Sequence, residues 1–321
     1  MSTRPTTPSD APSFTATNGT LYLVPAPLDF GCDTQAPLQD ALPDGTLKTA
    51  ARLTHWICEN AKSTRAYLKR IDAIYPLRHP LQSQTVVELP REVHKKGDHI
   101  APFDARPMLA AATAGHDIGL ISEAGMPAVA DPGSSVVRAA HDMGLQVTPL
   151  VGPASLLLSL AASGLNGQSF AFVGYLPQEA AARAQRLREL ESVALKTGQT
   201  QIWIETPYRN VAMLQSLIAL CANDTMLGVA ADLTLASEEI VVLPVTQWRR
   251  RDLARYQNRP AIFLLGKAVM SWQPEVLPLP PSGKSTGVAM TLAAVGSACG
   301  TLTMEIRSWG RRQSGAVFEG P

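Results

Sequence analysis

DIGLISEAGMPAVADPGSSVVRAAHDMGLQVTPLVGPASLLLSLAASG, residues 117–164, alternates two apolar runs with two helical patterns. The first run, 117–122, stops at Glu123-Ala-Gly-Met-Pro127, where glycine and proline cannot continue a strand. Asp131-Pro132 sets a capping carboxylate beside a proline suited to a first helical turn. A helix is therefore expected with Val136, Val137, Ala140 and Met143 on its buried face and Gly144 at its end. Residues 146–151 are a second apolar run, and after Gly152-Pro153-Ala154-Ser155 an apolar helix over 156–163 stops at Gly164. Strand, helix, strand, helix predicts that the two strands pair in parallel through a right-handed crossover. The loops at Glu123 and Gly152 then meet at the carboxyl edge of one sheet, where open α/β sheets take their ligands.

The rest of the chain bounds what such a sheet can belong to. At 321 residues it is long enough for two cored domains, and 45% hydrophobic with 17% charged residues is ordinary for a globular protein. A formal charge of +1 gives no global field to recruit nucleic acid or anionic membrane, so either partner needs a local patch. The longest apolar stretch, 145–165, is broken by Pro149, Gly152 and Pro153 and predicts no membrane span. Cys32, Cys58, Cys221 and Cys299 are scattered without metal-ligand spacing, which fits reduced thiols in a cytoplasmic protein and no metal site. Residues 1–18, rich in Pro, Ser and Thr, read as a disordered leader without the design of a signal peptide.

Taken in order, strands are expected at 20–25, 54–58, 85–89 and 117–122. Helices are expected at 45–52, 63–71 and 103–114, and the polar, basic segment 91–98 reads as a solvated loop or a face for phosphates. A first α/β domain thus covers 19–166. A second, 167–268, has strands at 169–175, 201–205, 226–232, 239–243 and 261–265, and helices at 178–195 and from Thr206-Pro207 to Leu220. A further helix carries Trp248 to Arg255. The short link between 232 and 239 allows only a hairpin, so the second sheet is mixed. Residues 269–321 lose all period and read as a linker and tail.

Five segments, in order, carry a resemblance: Val24-Pro-Ala-Pro-Leu28, Glu59-Asn-Ala-Lys-Ser-Thr-Arg65, Ser122-Glu-Ala-Gly-Met-Pro127 with Ala130-Asp-Pro-Gly133, Pro149-Leu-Val-Gly-Pro-Ala-Ser155, and Glu205-Thr-Pro-Tyr-Arg209. From 20 to 266 the chain resembles the tetrapyrrole methylase superfamily, nearest its ribosomal RNA small-subunit methyltransferase branch. That resemblance implies a two-domain class III methyltransferase fold, with a parallel-sheet N-terminal domain and a mixed-sheet C-terminal domain. It also implies S-adenosyl-L-methionine in the cleft between them, and a homodimer. The pattern is not complete. Asp29-Phe30 replaces the Gly-Asn of the branch's first loop, Glu59-Asn60 replaces Glu-Asp, and Glu123-Ala-Gly-Met-Pro127 replaces Asp-Ala-Gly-Thr-Pro.

Carried onto this chain, the resemblance sets Pro25, Glu123, Gly125, Met126, Pro127, Asp131, Pro153, Ser155, Pro207 and Leu233 against the cofactor. Arg65, His94, Lys95, Lys96 and Arg209 then face the substrate. Transfer from a sulfonium is an in-line displacement in which positioning alone supplies roughly 7–11 kcal/mol, so neither metal nor covalent intermediate is needed. A hydroxyl acceptor must lose its proton, for which Glu59, Glu123 and His94 are candidates; Glu59 could instead cap the following helix, and Asp131 reads as a cap. Arg209 could meet a phosphate, meet a carboxylate, or lie on the surface. The expected acceptor is a ribose hydroxyl of ribosomal RNA. The alternatives are a tetrapyrrole or other small molecule, or a protein that binds S-adenosylmethionine or RNA without turnover.

Overall fold

A strand whose four residues, Ile118–Ile121, are all buried has no face for water and must lie inside a sheet covered on both sides. The computed structural model describes residues 18–29, 31–96 and 103–268, with backbone alone at 94–96, and contains such a sheet. Its elements run β1 (Thr20–Val24), α1 (Leu38–Ala41), α2 (Asp44–Arg52), β2 (His55–Cys58), α3 (Ala61–Asp72), β3 (Thr85–Glu88), α4 (Arg91–Lys96), α5 (Ala110–Thr113), β4 (Ile118–Ile121), α6 (Ser134–Asp142), β5 (Gln146–Pro149) and α7 (Ser155–Ser163). All five strands are parallel, in the order β3-β2-β4-β1-β5.

That order corrects one expectation. β4 and β5 share a sheet and a direction but do not pair, because β1 lies between them. β1 buries Leu21 and Val24 completely, whereas β5 carries Gln146 and Thr148 and is partly exposed throughout, as suits an edge. The loops after β1, β4 and β5 still emerge at one edge. Helices α2 and α3 cover one face around Trp56, Leu68 and Ile71, and α5 and α6 cover the other around Leu109, Leu120 and Val136.

Local chemistry sets the helix starts. The Asn60 side chain accepts from the Lys62 and Ser63 amides at 2.9 and 3.3 Å, so α3 begins at Ala61 and Glu59 is not its cap. Asp131 is not a cap either. The N-cap of α6 is Gly133, whose φ of 135° lets the chain turn into the helix two residues later than the Asp131-Pro132 pair suggests. The helix expected over 103–114 divides into a 3-10 turn, Arg106–Leu109, and α5, because Pro107 sits in its first turn and Asp104 holds the Arg106 amide. Residues 91–96 are helical, not a loop, and α1 is an element the sequence reading lacks.

The second sheet is built from β6 (Phe170–Tyr175), α8 (Ala180–Thr197), β7 (Thr200–Ile204), α9 (Asn210–Leu220), β8 (Met226–Ala231), β9 (Glu239–Pro244), α10 (Val245–Trp248) and β10 (Ala261–Gly266). Its order is β6-β7-β10-β8-β9, with β6 parallel to β7 and every other pair antiparallel, so it is mixed and closes on the expected β8/β9 hairpin. α8 and α9 bury Leu187, Leu190, Met213 and Leu217 on one face against Trp203 and Phe263. On the other face lie Leu156 and Leu160 of α7, packed on Ile202, Ala230 and Ile262, so a helix that follows the first sheet covers the second. The helix expected from Trp248 to Arg255 is instead α10 and a 3-10 turn, Ala254–Tyr256. Arg251, Arg255 and Arg259 all pair with Glu239, which ties the segment down as turns.

Both sheets lie within the compact unit Met1–Met270. The leader expected over 1–18 falls, but for Asn18, outside the described residues, as does all of the tail beyond Ala268. Among the described residues no helix is long and apolar enough to cross a membrane.

Candidate functional site

Strand ends deliver the site. β1 runs into 25–29 and β4 into 122–133, and the two loops are clasped by an isolated antiparallel bridge. The Ala26 amide donates to the Gly125 carbonyl at 2.9 Å, and the Gly125 amide donates to the Ala26 carbonyl at 3.0 Å. Gly125 makes this turn at φ 72°, a conformation that side chains resist. Tyr67 of α3 donates its hydroxyl to the Pro25 carbonyl at 3.0 Å and holds the first loop from beneath.

Between these loops, the start of α7 and the second sheet lies a cavity of about 250 Å³. Its first-sheet wall is Leu28, Ala124–Met126 and Val129–Asp131, α7 supplies Ala154–Leu156, and the second sheet supplies Tyr175, Ile204, Glu205, Ala230, Leu233 and Ile262. Six of the ten expected cofactor residues line it: Gly125, Met126, Asp131, Ser155, Pro207 and Leu233. Pro25, Glu123, Pro127 and Pro153 do not; Pro127 and Pro153 are buried in the supporting loops. The sequence reading missed Tyr175, whose place at a strand end above the cleft was the available signal. It had Glu205 in hand within a quoted motif but gave it no role.

Asp131 is the electrostatic centre of this wall. Burial, then the neighbouring charges of Glu59 and Glu123, raise its carboxyl from 3.8 to about 7. Three carboxylates are thus gathered at the carboxyl edge of the first sheet, and Asp131, read from sequence as a cap, is the one that faces the cavity. Opposite, Arg209 donates to Glu205 through Nε at 2.9 Å and through a second nitrogen, and Glu205 also accepts from the Thr206 amide at 2.7 Å. Arg209 is therefore engaged by a wall residue and not held open for a phosphate.

The expected substrate residues do not converge. Arg65 is exposed on α3, and His94, Lys95 and Lys96 fall on α4, where the side chains lie outside the described residues. Among the described residues no group of three His, Cys, Asp or Glu is placed to hold a metal ion.

Residues 46–248, more than half of the chain, match the family described as Tetrapyrrole (Corrin/Porphyrin) Methylases. The chain belongs to the tetrapyrrole methylase family. Among tetrapyrrole methylase relatives, a ribosomal RNA small subunit methyltransferase I of Vibrio cholerae serotype O1 is 31% identical over 172 residues, 53% of this chain and 58% of that protein. One of Bacillus subtilis is 29% identical over 240 residues, 74% of this chain and 72% of that protein. The chain spans little more than half the length of the first of these. The solved methyltransferase CobJ is 17% identical, with a TM-score of 0.49 over 78% of this chain and 95% of that one.

Proposed function

We propose that this tetrapyrrole methylase is an S-adenosylmethionine-dependent methyltransferase acting on ribosomal RNA. One observation carries the cofactor reading: the cavity puts a desolvated carboxyl, Asp131, among carboxylates that favour its neutral form. A sulfonium or ammonium would relieve that crowding, and an anion would worsen it. The rest of the donor set fits as well. Ala124, Gly125, Ala154, Ala230 and Ala261 leave room along the walls, and the start of α7, which has no side-chain cap, opens on the cavity. At about 250 Å³ the space is just under the roughly 300 Å³ usual for small-ligand sites.

When bound, the cofactor supplies an activated methyl group. The chain's part is to hold that group and the acceptor in line, with the clasped Ala26 and Gly125 loops as a rigid seat. A hydroxyl acceptor also needs its proton taken. Asp131, near pH 7 and on the cavity wall, suits that task better than Glu59 or Glu123, which reach it only through their charge.

The relatives' names support ribosomal RNA as acceptor. Such an enzyme would work in the cytoplasm. A second copy would cover α7, on which Leu157 and Leu158 stand 56% and 39% exposed beside Val151 at 70%. The acidic cavity favours one other reading, a small acceptor without phosphates. The deciding experiment offers labelled S-adenosylmethionine with small-subunit RNA from a strain lacking this protein, in parallel with tetrapyrrole precursors. Label in RNA is expected; label only in a tetrapyrrole moves the assignment to the small molecule.

A further inference from the structure

The cavity has a neighbour of about 250 Å³ on the other side of the same two loops. Leu28, Ala124 and Gly125 face the first cavity, while Ala26, Pro27, Asp29 and Glu123 face the second, which α3 closes with Ser63 and Tyr67. Its chemistry is one-sided. Arg70 is the one cation among the lining residues, and its terminal nitrogens are taken: they donate to the two Asp29 carboxylate oxygens at 3.1 and 2.9 Å and to the Ala36 carbonyl at 2.7 Å. Asp29 is 4% exposed, so this pair is a structural floor that pins the loop to α3, with the guanidinium charge already matched by a buried carboxylate.

Two groups retain capacity. Ser122 lines the cavity at 5% exposure, and its hydroxyl has no hydrogen-bond partner among the described residues. A buried hydroxyl left in that state is costly unless something else completes it. Next to it Glu123 accepts from the Ser63 hydroxyl at 3.2 Å through one carboxylate oxygen. The Glu123 carboxylate can only accept, and the Ser122 hydroxyl beside it can accept as well as donate, so the two together suit a ligand group that brings N–H donors. A phosphate would meet the Glu123 charge while the one lining cation, Arg70, is already neutralised by Asp29.

We propose that this second cavity is a recognition subsite for an amino-bearing part of the acceptor, bound by Ser122 and Glu123 beside the methyl-donor cavity; the proposal rests on the methyl-transfer reading above. An aromatic exocyclic amine and an aliphatic amine present the same donors, and the test separates them.

Full-length protein saturated with S-adenosylhomocysteine is titrated calorimetrically with cytidine and adenosine, with uridine and inosine, with putrescine, and with inorganic phosphate. The amino-bearing nucleosides or putrescine should bind, whichever does identifying the source, while uridine, inosine and phosphate should not. Ser122→Ala should weaken the amine by roughly two- to tenfold, the worth of one hydrogen bond, and leave S-adenosylhomocysteine affinity unchanged. Ala66→Leu, at an exposed α3 position on the cavity rim, should block the amine without touching the core. Equal binding of cytidine and uridine, no binding of any amine, or amine binding unmoved by both variants overturns the subsite. Amine discrimination without any S-adenosylhomocysteine binding instead sinks the methyl-transfer reading and keeps the cavity's chemistry.

Discussion

Asp131 ties stability to pH in a direction that can be worked out. Its folded-state carboxyl titrates near 7 against 3.8 in the unfolded chain, so below about pH 4 both states are protonated and nothing is lost. As pH rises the unfolded chain ionises first, and the folded protein is progressively destabilised until about pH 7. The full shift corresponds to roughly 4 kcal/mol, which screening at a partly exposed site reduces to about 2. Asp131→Asn should therefore be more stable than the parent by about 2 kcal/mol at pH 8 and equal to it below pH 4. Urea denaturation of the ligand-free protein across that range checks it; a difference independent of pH would mean that the carboxyl is not desolvated. Asp131 also marks the limit of reading single residues. Asp-Pro before an apolar period is a fair cap signal, but whether the carboxylate meets amides or a cavity depends on where Gly133 lets the chain turn.

Among the elements, α3 shows what sequence does convey. Its apolar spacing gave Tyr67, Leu68 and Ile71 as the buried face, and all three are buried. Its start was misplaced by two residues because the capping residue, Asn60, sat unrecognised beside Glu59. Asn60→Ala removes the acceptor for two amides and should cost about 1 kcal/mol in thermal or urea unfolding, whereas Glu59→Ala, outside the cap, should cost the helix nothing. Strand positions were legible from apolar runs bounded by glycine and proline, and the hairpin from a link too short for a crossover. Strand order was not. Nothing local to β4 or β5 announces that β1 inserts between them, since that outcome depends on which strand can be buried on both faces. The same holds for the helices broken at Pro107 and after Trp248, where tertiary ion pairs and a proline overrode the period.

For the whole molecule, the exposed apolar face of α7 predicts association. Leu156 and Leu160 face the second sheet, and the opposite side offers Leu157 and Leu158 with Ala161, Ala162 and the nearby Val151 to solvent. Leu157→Asp should convert a dimer into monomers in analytical ultracentrifugation while leaving each chain folded by circular dichroism. A parent protein that is monomeric at tens of micromolar would refute this. Much of the candidate site was legible as loops at one sheet edge, since loop residues that hold a ligand come from strand ends. The contribution of Tyr175, Ile204 and Ala230 was not, because it depends on how the second sheet is carried onto the first through α7.

The reciprocal bridge between Ala26 and Gly125 has a thermodynamic corollary. Each residue both donates to and accepts from the other, and the pair forms the partition between two cavities. A ligand that shifts this partition in either cavity changes affinity in the other, and linkage requires the factor to be the same in both directions. S-adenosylhomocysteine and the amine should thus strengthen or weaken one another by a single ratio, whichever is titrated first. Ala26→Pro, which deletes one of the two amide donors, should bring that ratio towards one while both ligands still bind.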